Sequence, residues 1–89
     1  VVRPRAFDDR EGIWIYTAKK WGEEEARHSM SLLNDRILRL ASSPEDGRSR
    51  ETLRPGYLSI HVGRHLAFYR FTDELVGIER ELHDQMEFE

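Results

Sequence analysis

The apolar residues change their spacing halfway along the chain, and that change limits the folds open to it. Ala26, Met30, Leu33, Ile37 and Leu40 follow one another at steps of four, three, four and three. That spacing puts all five on one face of a helix. From Tyr57 the pattern becomes alternation, with Leu58, Ile60 and Val62 on one side and Tyr57, Ser59 and His61 on the other. A period of two is that of a strand with one covered face. A helical layer and a sheet layer, each with one apolar face, bury those faces against each other, which gives an α+β domain.

A second helix lies upstream. Pro4 suits a first helical position, and Ala6, Ile13 and Tyr16 share a face between Arg5 and Trp21. Gly12 weakens this helix by up to about 1 kcal/mol relative to alanine. Trp21-Gly22 marks its end, because glycine accepts the backbone of a helix C-terminus. Glu23-Glu24-Glu25 then sets carboxylates at the positive end of the next helix dipole. So short a connection predicts an antiparallel helical hairpin. Val1-Val2-Arg3 is read as a short edge strand ahead of it. The second helix is expected to end near Ala41-Ser42-Ser43-Pro44.

Residues 44–55 are polar, carry an Asp46-Gly47 turn signal, and read as a loop. Three strands follow. Gly63-Arg64 turns the chain between the first two, and Thr72-Asp73-Glu74 between the last two. Leu66 to Phe71 is mostly apolar and aromatic, as a strand buried on both faces would be. Val76, Ile78 and Leu82 are expected on one side of the last strand, with Arg80 on the same side. The expected architecture is an N-terminal short strand and an antiparallel helical hairpin packed on a three- to four-stranded antiparallel sheet. It forms a single domain over residues 1–89.

A chain of 89 residues buries only a thin core, so a partner covering apolar surface would add to its stability. With no cysteine, a disulfide scaffold and a thiolate metal site are both excluded. No apolar run is long enough for a membrane span, and no signal peptide is visible at Val1. The absence of an initiator Met suggests processing or trimming, and the default compartment is the cytoplasm. The net charge is −3, with 35% of residues charged. A protein that lives on nucleic-acid backbones usually carries a positive excess. The arginines are nevertheless uneven: Arg48, Arg50, Arg54, Arg64, Arg70 and Arg80 all lie in the second half. A local basic surface on an acidic protein therefore remains open.

Three segments of that second half carry more than periodicity. They are Leu53-Arg54-Pro55-Gly56-Tyr57, then Gly63-Arg64-His65-Leu66-Ala67-Phe68-Tyr69-Arg70, then Glu81-Leu82-His83-Asp84-Gln85-Met86. The first half adds Ile13-Trp14, Tyr16, Trp21-Gly22, Ala26, Leu33 and the Leu40-Ala41…Pro44…Gly47 run. In this order and spacing the set resembles the ParE branch of the RelE/ParE toxin superfamily, over nearly the whole chain. The resemblance implies the toxin half of a type II toxin–antitoxin pair that blocks DNA gyrase by binding and is not an enzyme. It implies neutralisation by a ParD-type antitoxin whose C-terminal segment wraps the toxin, in a heterotetramer or larger. DNA would be reached only through the antitoxin; no cofactor and no membrane are implied. Two departures from the family pattern stand out. Arg10 occupies a place usually apolar on the first helix, where Phe7 is a candidate to compensate, and Glu79 and Glu81 occupy a strand usually apolar. They point to a polar strand face exposed at an edge, and to the alternative of a toxin that keeps its antitoxin but has lost activity.

The alternative chemistry is that of a RelE-like mRNA endoribonuclease. Cleaving RNA without metal needs an acid, a base and cations for the phosphate. His61, His65 and His83 are candidate acids or bases, and Arg54, Arg64, Arg70 and Arg80 candidate phosphate ligands. The only lysines, Lys19 and Lys20, end the first helix and do not cluster on the sheet. His61 and His65 flank a hairpin turn, where i,i+4 spacing does not make a metal site. The candidate contacts to antitoxin or target are Trp14, Arg54, Tyr57, Arg64, His65, Arg70, Arg80, His83 and Met86. Each has a structural alternative. Trp14 fills core or anchors a partner peptide, Arg54 grips an acidic group of the antitoxin or pins its own loop, His65 makes a contact or fixes a turn, and Met86 closes the core.

Overall fold

The computed structural model describes residues 1–83. Helix α1 runs Pro4–Trp21 and helix α2 runs Glu23–Leu40, with proline at the start of α1 as expected. Gly22 alone separates them. Its φ of 94° lies where a residue with a Cβ is strained. Its N–H closes α1 on Ala18 O at 2.9 Å, and its carbonyl opens α2 by accepting from Ala26 N at 3.1 Å. Lys19 and Lys20 sit in the last turn of α1 and Glu23, Glu24 and Glu25 in the first turn of α2, each sign opposing the local end of its helix dipole.

Both helices bury a narrow seam. Ala6, Ile13 and Thr17 of α1 are buried, and Ala26, Leu33 and Leu40 of α2. Ala6, Leu33 and Leu40 close on Ile60, Ala67, Tyr69 and Ile78 from the sheet. Four strands form that sheet in the order β1 (Arg48–Ser49), β2 (Leu58–Val62), β3 (His65–Phe71) and β4 (Val76–His83), all neighbours antiparallel. The architecture is the expected one: two helices on one face of a four-stranded antiparallel sheet. Gly63 turns β2 into β3 with φ 59°, and β3 begins at His65, one residue earlier than expected. The N-terminal segment makes a single parallel bridge, Val2 to Ile78, in place of a full edge strand. Arg3 N donates to Ile78 O at 2.9 Å there.

Three expectations are corrected. The stretch 44–55 is not all loop: Pro44–Asp46 forms a 3₁₀ turn and Arg48–Ser49 pairs with Leu58 and Ser59. The cause is the buried Tyr69, whose hydroxyl donates to Pro44 O at 2.5 Å and accepts from Gly47 N at 2.9 Å. Burial raises the pKa of this phenol, although the Gly47 hydrogen bond opposes it. A Cβ on Gly47 would collide with that hydroxyl. Second, β3 is buried on both faces only as far as Tyr69; Arg70 and Phe71 are exposed. Third, β4 does not keep one alternation. Tyr69 pairs with Ile78 but Phe68 with Arg80, so Glu79 is an extra residue, a bulge. Val76 and Ile78 face the helices before it, and Glu81 and His83 do so after it, opposite Ala67 and His65. Arg80 and Leu82 are turned to the far face, where Leu82 joins Tyr57 and Phe68.

The bulge also reverses the expected exposure of Glu81. This carboxylate is fully buried and accepts from Arg10 Nε at 2.9 and 3.0 Å. Of the departures from the family pattern, Arg10 and Glu81 are therefore each other's partner, while Glu79 pairs with Arg70. Asp9, one residue earlier on α1, accepts from Arg80 Nε at 2.7 Å and from Glu81 N at 2.9 Å. Burial raises the Glu81 pKa, with Arg10 opposing the rise and Asp9 adding to it.

Removing one member of a buried ion pair leaves a charge uncompensated. Arg10→Ala should cost about 3–5 kcal/mol in urea unfolding, whereas Arg10→Leu with Glu81→Leu should be neutral or stabilising. Because the Glu81 pKa is higher folded than unfolded, its contribution is present below the ordinary glutamate value and lost as pH rises through the folded one. Wild type should thus lose stability relative to Glu81→Gln as the pH rises above the ordinary glutamate value of about 4.3, read as urea midpoints. Gly47→Ala should cost about 1–3 kcal/mol by overpacking. That cost should shrink in a Tyr69→Phe background, which a double-mutant cycle of thermal melts would measure.

Candidate functional site

Arginines from four parts of the chain converge on the far face of the sheet. Arg70 comes from β3 and Arg80 from β4 beyond the bulge. Arg54 comes from the turn before β2, where Tyr57 N donates to Arg54 O at 3.2 Å and Gly56 takes φ 78°. Arg3 and Arg5 come from the start of α1. With Tyr57 and Glu79 they line a cleft of about 330 Å³. The Arg70 guanidinium lies 5.4 Å over the Tyr57 ring, a cation–π contact, and donates to Glu79 Oε1 at 3.2 and 3.3 Å. Arg80 is held by Asp9, and that hydrogen bond raises its pKa still further. Among the described residues no carboxylate pairs with Arg3, Arg5 or Arg54. Four of the residues singled out from sequence, Arg54, Tyr57, Arg70 and Arg80, are thus brought together.

A second group gathers on the helix side, at the C-terminal end of α1. His65 and His83 are opposite each other across β3 and β4, both fully buried, with ring centroids 5.9 Å apart. His83 stacks on Trp21 at 5.2 Å and 19°, and is tilted against Tyr16 at 4.9 Å. The Arg64 guanidinium lies 4.5 Å over Trp21, and Lys20 Nζ lies 5.5 Å from the rings of both Tyr16 and Trp21. Arg64, His65 and His83 are thus also together. Trp21, Tyr16 and Lys20 were not among the candidates, because Trp21-Gly22 reads first as a helix stop. A tryptophan beside a lysine at a helix end was the available signal.

Trp14 is half-buried on α1 and lines neither group. Met86 lies outside the described residues. His61 is exposed on β2, opposite Leu66 on the arginine face, but does not line the cleft. The buried histidines and the arginine cleft stand on opposite sides of the sheet. The cleft can hold anions, and the aromatic cluster offers a packed, cation-edged surface.

The chain matches the family described as ParE toxin of type II toxin-antitoxin system, parDE, over residues 1–88. Among curated proteins it is similar to Toxin ParE1 of Mycobacterium tuberculosis, 35% identical over 98% of this chain and 90% of that protein. It is also similar to Toxin ParE1 of Caulobacter vibrioides, 38% identical over 92% of this chain and 84% of that one. Among solved structures, a chain of the chromosomal ParDE TA system from P. aeruginosa superposes with a TM-score of 0.76 at 18% identity. That match covers 92% of this chain and 90% of that one, and supports the fold.

Trp21 carries most of the contacts in the helix-side cluster, so Trp21→Ala should lower stability by about 2–3 kcal/mol. Arg64→Ala removes only a cation above the ring and should cost about 0.5–1 kcal/mol. Urea midpoints of the two variants check the order.

Proposed function

The chain belongs to the ParE toxin family of type II toxin–antitoxin systems, and on that footing we propose that it acts by gripping a protein target, DNA gyrase, and not by breaking bonds. Its antagonist is a ParD-type antitoxin whose C-terminal segment lies over the helical hairpin and continues along the sheet, in a heterotetramer or larger, in the cytoplasm. Trp14, half-buried on α1, is the candidate anchor for that segment. DNA is reached through the antitoxin.

The observation that carries the binding reading is that none of the candidate acid–base histidines lines the arginine cleft among the described residues. Metal-free RNA cleavage needs a proton donor and acceptor within hydrogen-bond reach of a phosphate held by cations. Here Arg3, Arg5, Arg54, Arg70 and Arg80 line the cleft on the far face, and His61 on that face stands outside it; His65 and His83 are buried against α1, where Arg64 lies over Trp21. A supercoiling assay with purified gyrase tests the proposal. Inhibition at micromolar protein, relieved by the antitoxin encoded beside it, is expected. No inhibition would remove gyrase as the target. Discrete cleavage sites in RNA from expressing cells would replace the proposal with the endoribonuclease reading.

A further inference from the structure

The arginine cleft does not end at Arg70. Arg3, Arg70 and Glu79 are shared with a second depression of about 290 Å³, which runs past Gly77 to Phe71, Thr72 and Leu75. The Arg3 side chain lies close over Gly77, where a Cβ would come to 3.1 Å of Arg3 Nε. The two depressions form one groove with two chemistries. At one end stand Arg3, Arg5 and Arg54, exposed and without a carboxylate among the described residues; at the other stand Phe71 and Leu75, 39% and 40% exposed. On a chain of net charge −3, unneutralised guanidinium groups concentrated in one cleft make a local field opposite to that of the whole protein.

We propose that this groove is a docking site for an acidic and apolar peptide segment of a partner protein. Its carboxylates would sit on Arg3, Arg5 and Arg54, and an apolar side chain of the same segment would sit between Phe71 and Leu75. The partner rests on the reading of this chain as a toxin held by a protein antagonist, and it adds a second foothold, which begins on the far face of the sheet and ends at the turn between β3 and β4. One observation favours a peptide over a nucleic-acid strand. A polyanion needs cations all along its track, whereas this groove turns apolar and carries Glu79 within it. Forked guanidinium groups can hold the carboxylates of such a segment bidentately, as they can phosphates. The volume of each half, at the small end for ligand sites, suits a few side chains.

The test uses the whole chain and a capped peptide of alternating glutamate and leucine, with the lysine–leucine analogue and a single-stranded oligothymidylate beside it. Binding is followed by anisotropy and by the arginine Nε–Hε resonances. The acidic peptide should bind saturably, move the Arg3, Arg5 and Arg54 signals, and weaken with added salt. Arg5→Glu with Arg54→Glu should weaken it about tenfold, and Leu75→Asp should weaken it independently; all three side chains are exposed, and a thermal melt verifies folding. Equal binding of the lysine peptide, binding unaffected by either variant, or no binding overturns the proposal. Tighter binding of the oligothymidylate replaces it with a nucleic-acid surface. Failure here is separable from failure of the functional reading. If the antitoxin still relieves gyrase inhibition while the peptide does not bind, only the groove is wrong.

Discussion

The bulge at Glu79 sets the orientation of everything that follows it on β4. Were the bulge absent and Glu79 paired in register, the alternation begun at Phe71 and Val76 would put Arg80 under the helices and Glu81 on the far face. A one-residue shift exchanges the two faces of a strand completely. With it, Glu81 is under α1 and meets Arg10, Arg80 turns outward, and Asp9 reaches round the edge to both Arg80 and Glu81 N. The last of these contacts matters for the sheet margin, because an edge N–H without a partner is an invitation to uncontrolled strand pairing. Both groups of candidate residues follow from the same displacement: His83 could not stack on Trp21, nor Arg80 line the cleft, in an unbulged strand.

Periodicity made the layers legible. The seven-residue recurrence Ala26, Leu33, Leu40 lies on the seam of α2, and Leu58, Ile60 and Val62 do face the helices. Gly22 was readable as a boundary because one glycine between two helical patterns has few other uses. The strand at Arg48–Ser49 was not readable, since it is created at a distance by a hydroxyl on β3 and has no local pattern of its own. The bulge was hidden for a related reason. Val76, Ile78 and Leu82 fit a single alternation on paper, and only the pairing with β3 shows that one residue is skipped.

The site was legible as a set of residue types and not as a grouping. Arg54, Tyr57, Arg70 and Arg80 were drawn from separate motifs and meet in one cleft, while Arg64, His65 and His83 meet on the opposite side of the sheet. Which arginines are neutralised is a property of three-dimensional neighbours. Arg70 and Arg80 have carboxylates, and Arg3, Arg5 and Arg54 have none among the described residues. Arg3 and Arg5 flank the start of the first helix in sequence, and nothing local ties them to the sheet's far face.

The Arg10–Glu81 pair also constrains how such a chain can vary. Each position alone accepts neither an apolar residue nor the opposite charge without isolating its partner beneath α1. Both states, charged at both positions or apolar at both, are comfortable, but the single steps between them cross a stability deficit that a thin core has little reserve to absorb. Lineages on the two sides of that barrier would drift apart with their surfaces free to change and this one contact locked. A graft of α1 from one side onto a sheet from the other would fail at this point first.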